Sequence, residues 1–163
     1  MTEQIPWPVA DFDPVRRLHV VAAATPGATV HEALIDAPFE AVWAVAEDLE
    51  GRLPRWLPDI RSVRLAPGPD DGAATCRREA LVTGHSRLRA RFDVELRPGW
   101  CLMRSRFLLG GMAARAEPDG TRFAFLGAFR LPAAALLGAA LAPVTDPLAQ
   151  RSLRRFERLV REG

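Results

Sequence analysis

The chain has 163 residues, of which 48% are hydrophobic and 26% charged; this suits one domain with a sizeable core and argues against wholesale disorder. The formal net charge of +2 is too small to imply nucleic-acid binding without a clustered basic face. All 22 basic residues are Arg, and Lys, Asn and Tyr are absent, so arginine is the default surface cation and a single arginine carries little functional weight.

The elements follow in chain order. Met1 to Pro8 has no apolar core and does not read as a signal peptide, so a cytoplasmic location is expected. Asp13-Pro14 starts a helix, with Asp as N-cap and Pro at the first helical position. Val15, Leu18 and Ala22 recur at helical spacing until Thr25-Pro26-Gly27 stops it. Thr29 to Asp36 reads as a strand. Phe39 to Asp48 is an amphipathic helix with Val42, Trp43 and Ala46 on its apolar face, and Leu53 to Leu57 a shorter helical piece ended by Pro58.

A meander of strands is expected next: Asp59 to Leu65, a turn at Pro67 to Gly72, Ala74 to Thr83, Arg87 to Arg97, Trp100 to Phe107, Leu109 to Glu117 and Thr121 to Arg130. The cleanest period lies in Arg87 to Arg97. There Leu88, Ala90, Phe92, Val94 and Leu96 alternate with Arg87, Arg89, Arg91, Asp93 and Glu95, so the first set is expected buried and the second exposed. Phe123, Phe125 and Phe129 share one face of the last strand. Ala133 to Leu141 is helical and poor in large side chains, and Pro143 is expected to interrupt it. Asp146-Pro147 restarts a helix with Leu148, Ser152, Phe156 and Leu159 as its apolar stripe. The apolar run Leu131 to Val144 is too short to span a membrane, so no stable membrane insertion is expected.

Three motifs then coincide with a known family. Ile35-Asp36-Ala37-Pro38-Phe39-Glu40-Ala41-Val42-Trp43 resembles the entry motif of the START / polyketide cyclase-dehydrase (SRPBCC) superfamily, which includes the birch-pollen-allergen-like proteins. Trp56-Leu57-Pro58-Asp59 is similar to its next landmark, and Ser152 to Leu159 to the end of its long helix. The resemblance implies an α+β helix-grip fold: a curved antiparallel sheet of about six to seven strands around a long kinked C-terminal helix, with an extra N-terminal helix. Residues 1–27 would be an N-terminal extension and 28–163 the ligand-binding domain. The resemblance also implies a central cavity, since members bind lipids, sterols, polyketides or quinones, and some cyclise or dehydrate them. Aromatic cyclases of the group often use tyrosines and arginines lining the cavity, and this chain has no tyrosine.

The residues themselves offer little chemistry. His19, His31 and His85 have no metal-ligand spacing, and Cys76 and Cys101 read as two small buried hydrophobes rather than a disulfide or a metal pair. No metal and no cofactor is expected. Gly110-Gly111 lacks the context of a phosphate loop and reads as a glycine bend in a strand. The Arg87, Arg89, Arg91 row could meet phosphates of RNA or lipid, but reads as a solvated sheet face without aromatic interleaving, and no nucleic-acid partner is expected. Arg78 shares a face with Cys76, Ala80 and Val82 and is the candidate internal charge; Arg104 and Arg106 raise the same question beside Trp100 and Leu102. The expected ligand-binding set is Arg78, Phe92, Met103, Met112, Phe123, Phe125 and Gly138. The leading reading is a binding or carrier protein for an apolar or aromatic small molecule. The alternatives are a cyclase/dehydrase-type enzyme using Arg78 with His31 or His85, and a regulatory interaction protein.

Overall fold

The structure is a computed structural model that describes residues 13–68, 76–130 and 134–163, with side chains in the last helix described from residue 146 onward. The element order is α1 (Pro14–Ala23), β1 (Thr29–Ile35), α2 (Phe39–Glu47), α3 (Leu53–Trp56), β2 (Ile60–Leu65), β3 (Cys76–Gly84), β4 (Arg89–Arg97), β5 (Trp100–Arg104), β6 (Leu108–Glu117), β7 (Gly120–Phe129) and α4 (Ala134–Glu162). The seven strands form one antiparallel sheet in the order β1-β7-β6-β5-β4-β3-β2. Strands β2 to β7 follow one another as a meander. The α2–α3 connection carries the chain from the β1 edge to the β2 edge.

Two cores lie on opposite faces of this sheet. On the concave face, Val42, Trp43, Val45 and Ala46 of α2, Leu53 and Trp56 of α3, and Leu153, Phe156, Leu159 and Val160 of α4 pack against the inward residues of the strands. Phe123 stacks on Phe156 with ring centroids 3.9 Å apart and planes at 8°, and Trp56 meets Phe156 edge-on at 5.2 Å. Such pairs add about 0.5–1.5 kcal/mol each beyond their burial. On the convex face, α1 lays Val15 and Leu18 over Trp100, Leu102, Leu109, Ala113, Ala124 and Leu126. Gly111 makes this close approach possible: a Cβ there would come within 2.9 Å of Leu18 Cδ1. The expected glycine bend is thus a helix seat.

Charge ties α1 down at its start and its middle. The Asp13 carboxylate caps the helix through Arg16 N and accepts from Arg115 Nη1 at 3.0 Å. Arg115 and Arg122 both donate to Glu117, Arg122 also reaches Glu32 at 3.6 Å, and Glu32 meets His19 Nε2 at 2.9 Å. Arg17 lies over the Trp100 ring at 4.9 Å. The hydrogen bonds from Arg122, then Arg115, hold the Glu117 carboxyl down at about 2, against an ordinary value of 4.5.

Several expectations need correction. The expected interruption at Pro143 is not a break, because α4 is one helix from Ala134 to Glu162. A proline deletes one N–H and crowds one carbonyl, yet the turns on either side still close, and Leu153, Phe156, Leu159 and Val160 hold the later part on the core. Leu148 is exposed, while Ser152, Phe156 and Leu159 of the expected stripe are buried together with Ala149 and Leu153. Leu88 is 75% exposed. It belongs to the β3–β4 turn, where Arg87 takes φ 63° and Gly84 N donates to Leu88 O at 2.9 Å. The expected alternation holds from Ala90 to Val94, while Glu95 is half-buried rather than exposed. β5 stops at Arg104, because the chain turns at residues 105–107. Most of the expected Pro67 to Gly72 turn lies outside the described residues.

Leu18→Ala should lower unfolding stability by roughly 3 kcal/mol, as a fully buried leucine truncated to a cavity does, measured by denaturant titration. Acid should act through Glu117. A carboxyl held below its ordinary value stabilises fully above that value and loses the effect as pH falls toward about 2. Thermal midpoints of the native chain and Glu117→Gln should therefore differ at neutral pH and converge as the pH is lowered toward that point.

Candidate functional site

The antiparallel register sorts the concave face into rungs. One rung joins Arg78, Val94, Met103, Gly110 and Gly127 across five strands. The next joins Cys76, Leu96, Cys101, Met112, Phe125 and His31. Ala80 and Phe92 pair on one side of these, and Ala114, Phe123 and Ala33 on the other. Arg78, Phe92, Met103, Met112, Phe123 and Phe125 therefore share the concave face. Gly138 lies in the part of α4 whose side chains are outside the description.

The two ends of that face differ in packing. At Phe123 it is filled: the ring is fully buried beneath Phe156, with Trp56 against it. One step along β7, Phe125 is half-buried; another step on, Gly127 is exposed, and Phe129 beyond it is 59% exposed. A Cβ added at Gly127 would meet no atom of the described residues within 4 Å. Opposite it, Gly110 also presents no side chain, so this rung carries bare backbone between Met103 and the β1 edge. The space expected beside Phe123 is thus occupied by aromatic rings, and among the described residues the open part of the face lies over Gly127.

A separate cavity of about 250 Å³ opens at the other edge, lined by Glu47, Leu49, Leu65, Cys76, Arg78 and Leu96. Arg78 is half-buried there, as its alternation with Ala80 and Val82 requires. Its Nε donates to Cys76 Sγ at 2.9 Å, and its stem lies against Gly68. It forms no ion pair among the described residues, although Glu47 shares the cavity. A guanidinium committed only to a thiol, within a mainly apolar wall, retains donors for an anionic or carbonyl group. Arg104 and Arg106, by contrast, are exposed.

The remaining candidate groups do not converge. His31 is nearly buried, tilts against Phe125 at 5.6 Å, and has Nε2 3.9 Å from Asp146 Oδ1. From β1 to β3 there are five strand spacings, roughly 24 Å along the sheet at ~4.8 Å each, less the effect of curvature. Arg78 and His31 are thus too far apart to grip one small reacting centre together. His85 stands exposed in the β3–β4 turn. Both cysteines are free thiols; Cys101 is buried, while Cys76 is half-exposed instead of buried because it lines the Arg78 cavity. Burial, then the Glu95 charge, pushes the Cys101 thiol up to about 12. Among the described residues, no group of three His, Cys, Asp or Glu side chains could hold a metal ion.

Reading by residue type missed Gly127, Glu47, Leu49 and Leu65. The one available signal was a glycine at the apolar parity of the last strand, between Phe125 and Phe129.

Comparison with known proteins agrees with this architecture. The sequence model of a family described as polyketide cyclase / dehydrase and lipid transport matches residues 26–161. No curated protein matches the chain. Among solved structures, the fold is similar to that of the 18 kDa protein CC1736 from Caulobacter crescentus, at 21% identity over 83% of this chain and 96% of that one, with a TM-score of 0.66. It is similar also to TTHA0849 from Thermus thermophilus, at 22% identity over 82% and 96%, with a TM-score of 0.52. A third similar structure is the di-domain ARO/CYC StfQ from the steffimycin biosynthetic pathway, at 9% identity over 88% of this chain and 54% of that one, with a TM-score of 0.57. The family match, α1 apart, covers nearly the whole fold described above, and the chain belongs to the polyketide cyclase / dehydrase and lipid transport family.

Proposed function

We propose that the protein binds an apolar or aromatic small molecule, such as a lipid, quinone or polyketide-like compound, over the open part of its concave face, and serves as its carrier. The observation that carries this reading is the gradient along β7, from fully buried Phe123 through half-buried Phe125 to the bare backbone of Gly127. An apolar wall with few polar groups is the usual form of a small-molecule site. Met103 and Met112, both buried, and half-buried Phe125 form the apolar floor, and methionine adapts to irregular ligand shapes. Arg78 lies four strand spacings from Gly127 on the same rung, roughly 19 Å at ~4.8 Å each, so it is the polar end for an elongated ligand, suited to a carboxylate, sulfonate or carbonyl oxygen.

The alternative, a cyclase/dehydrase-type enzyme, rests on His31 beside Phe125 and Asp146. It would use His31 alone as acid or base, with Arg78 too distant to assist. Carrier function needs only the apolar wall and the Arg78 end, so it makes the smaller demand on these residues.

Titration of an elongated anionic apolar dye, the fluorescent fatty acid cis-parinaric acid, into the native chain and Arg78→Met tests the reading. The variant should bind on the order of tenfold more weakly, the worth of one charge-assisted hydrogen bond. Its thermal midpoint should stay level or rise, because an unpaired, half-buried charge has been removed. Equal dye binding by both forms would remove Arg78 from the site, and no uptake by either would leave the carrier reading without one. Thiol labelling gives a second check. A maleimide should modify Cys76 in the native chain and Cys101 only after unfolding, and saturating dye should slow the Cys76 reaction. Unchanged Cys76 labelling in the presence of bound dye would separate the dye site from the Arg78 cavity.

A further inference from the structure

One end of the sheet carries surface features that ligand binding on the concave face does not use. The β5–β6 turn meets the end of β7 there: Arg130 N donates to Phe107 O at 2.7 Å, and Leu108 pairs with Phe129. The start of β4 lies at the same end, because Asp93 faces Arg104 in the antiparallel register. A cleft of about 380 Å³ on this end is lined by Arg91, Arg104, Arg106 and Arg130 against the carboxylates Glu79 and Asp93. Among the described residues Arg91, Arg106 and Arg130 form no ion pair, and Arg104 reaches Glu95 only at 3.9 Å. The cleft therefore has a surplus of uncompensated positive charge.

Large apolar side chains stand in water beside it: Leu88 is 75% exposed, Phe107 50% and Phe129 59%. Leu88 closes the β3–β4 turn opposite Gly84, between Arg87 and Arg89. Single exposed apolar residues are ordinary. Here, however, they stand on neighbouring turns and strand ends and are interspersed with guanidiniums; Arg106 itself lies 5.1 Å over the Phe107 ring. On its own face the Arg87, Arg89, Arg91 row has no aromatic interleaving. The fold brings aromatic neighbours from the β5–β6 turn and the end of β7.

We propose that this end of the molecule docks on the surface of an anionic lipid bilayer. Leu88, Phe107 and Phe129 enter the boundary between headgroups and acyl chains, and the arginines engage lipid phosphates. Charge complementarity selects an anionic surface, and separate protruding apolar tips suit a fluid interface better than a flat protein partner. Stacking of nucleic-acid bases would call for aromatic platforms, and Leu88 offers none. The docking is peripheral, since no described helix is long and apolar enough to cross a membrane. It does not depend on what the concave face holds.

Co-sedimentation of the full chain with phosphatidylcholine vesicles, with and without phosphatidylglycerol, tests the proposal. The native chain should pellet with the anionic vesicles only, and added salt should release it. Phe107→Ser with Phe129→Ser, and separately Arg106→Ser with Arg130→Ser, should each weaken binding by on the order of tenfold or more. A control pair on the exposed side of α4, Arg154→Ser with Arg158→Ser, should change it by less than about twofold, being away from the docked surface. All variants should melt with the native chain, since the substituted side chains are exposed. The proposal is overturned if the native chain does not pellet, or if the control pair loses as much binding as Arg106 and Arg130 do. It is overturned too if these aromatics instead support a self-association, seen by sedimentation velocity, that their serine variants abolish while vesicle binding stays absent.

Discussion

Phe123 of β7 and Phe156 of α4 lie face to face at 3.9 Å, with Trp56 of α3 closing the group edge-on. This stack joins three elements that are distant in sequence, and it fixes where the long helix meets the sheet. Because these rings fill one end of the concave face, the helix is anchored there. At the other end no side chain of the described residues comes within 4 Å of where a Gly127 Cβ would stand. Breaking the stack, as Phe156→Ala would, costs on the order of 3–5 kcal/mol and removes the reference against which the open end is defined. Solid packing at one end and open space at the other are therefore two consequences of the same strand, read two residues at a time.

The convex face follows a different logic. Its apolar residues would be a solvent-exposed patch without α1, and Leu18 over Gly111 with Arg17 over Trp100 covers them. The ion network from Asp13 to Glu32 adds direction to this contact, since nonspecific apolar contact alone would not fix the helix along the strands. The family match begins at residue 26, so this cover lies outside the shared fold. An all-arginine basic complement helps here. A guanidinium can bind one carboxylate while reaching a second, as Arg115 does with Glu117 and Asp13.

Much of the architecture was legible because local patterns were strong. Asp13-Pro14, the Pro38 to Trp43 motif and the Ala90 to Val94 alternation each specify an element and its buried side. What failed to read depended on contacts between distant residues. Leu88 fits the strand period but falls in a turn, because Arg87 adopts a left-handed conformation that no period reveals. Pro143 signals a helix end locally, yet packing further along α4 sustains the helix. The Phe residues of β7 were legible as one face. Their different fates were not, because Phe156 covers Phe123 alone. Arg78 was found by parity, whereas Glu47 and Leu49 join it only through the α2–sheet contact.

The central claim is that the space over Gly127 receives the ligand, and filling that space tests it most directly. Gly127 has no positive φ to protect, and a Cβ placed on it would have no atom of the described residues within 4 Å, so Gly127→Leu should fold normally and melt at or above the native temperature. The decisive measurement is the dissociation constant of cis-parinaric acid for this variant beside that of the native chain. A weakening of about tenfold or more is predicted, as expected when a leucine side chain competes for the ligand's volume. Unchanged dye affinity in a folded Gly127→Leu protein would contradict the claim.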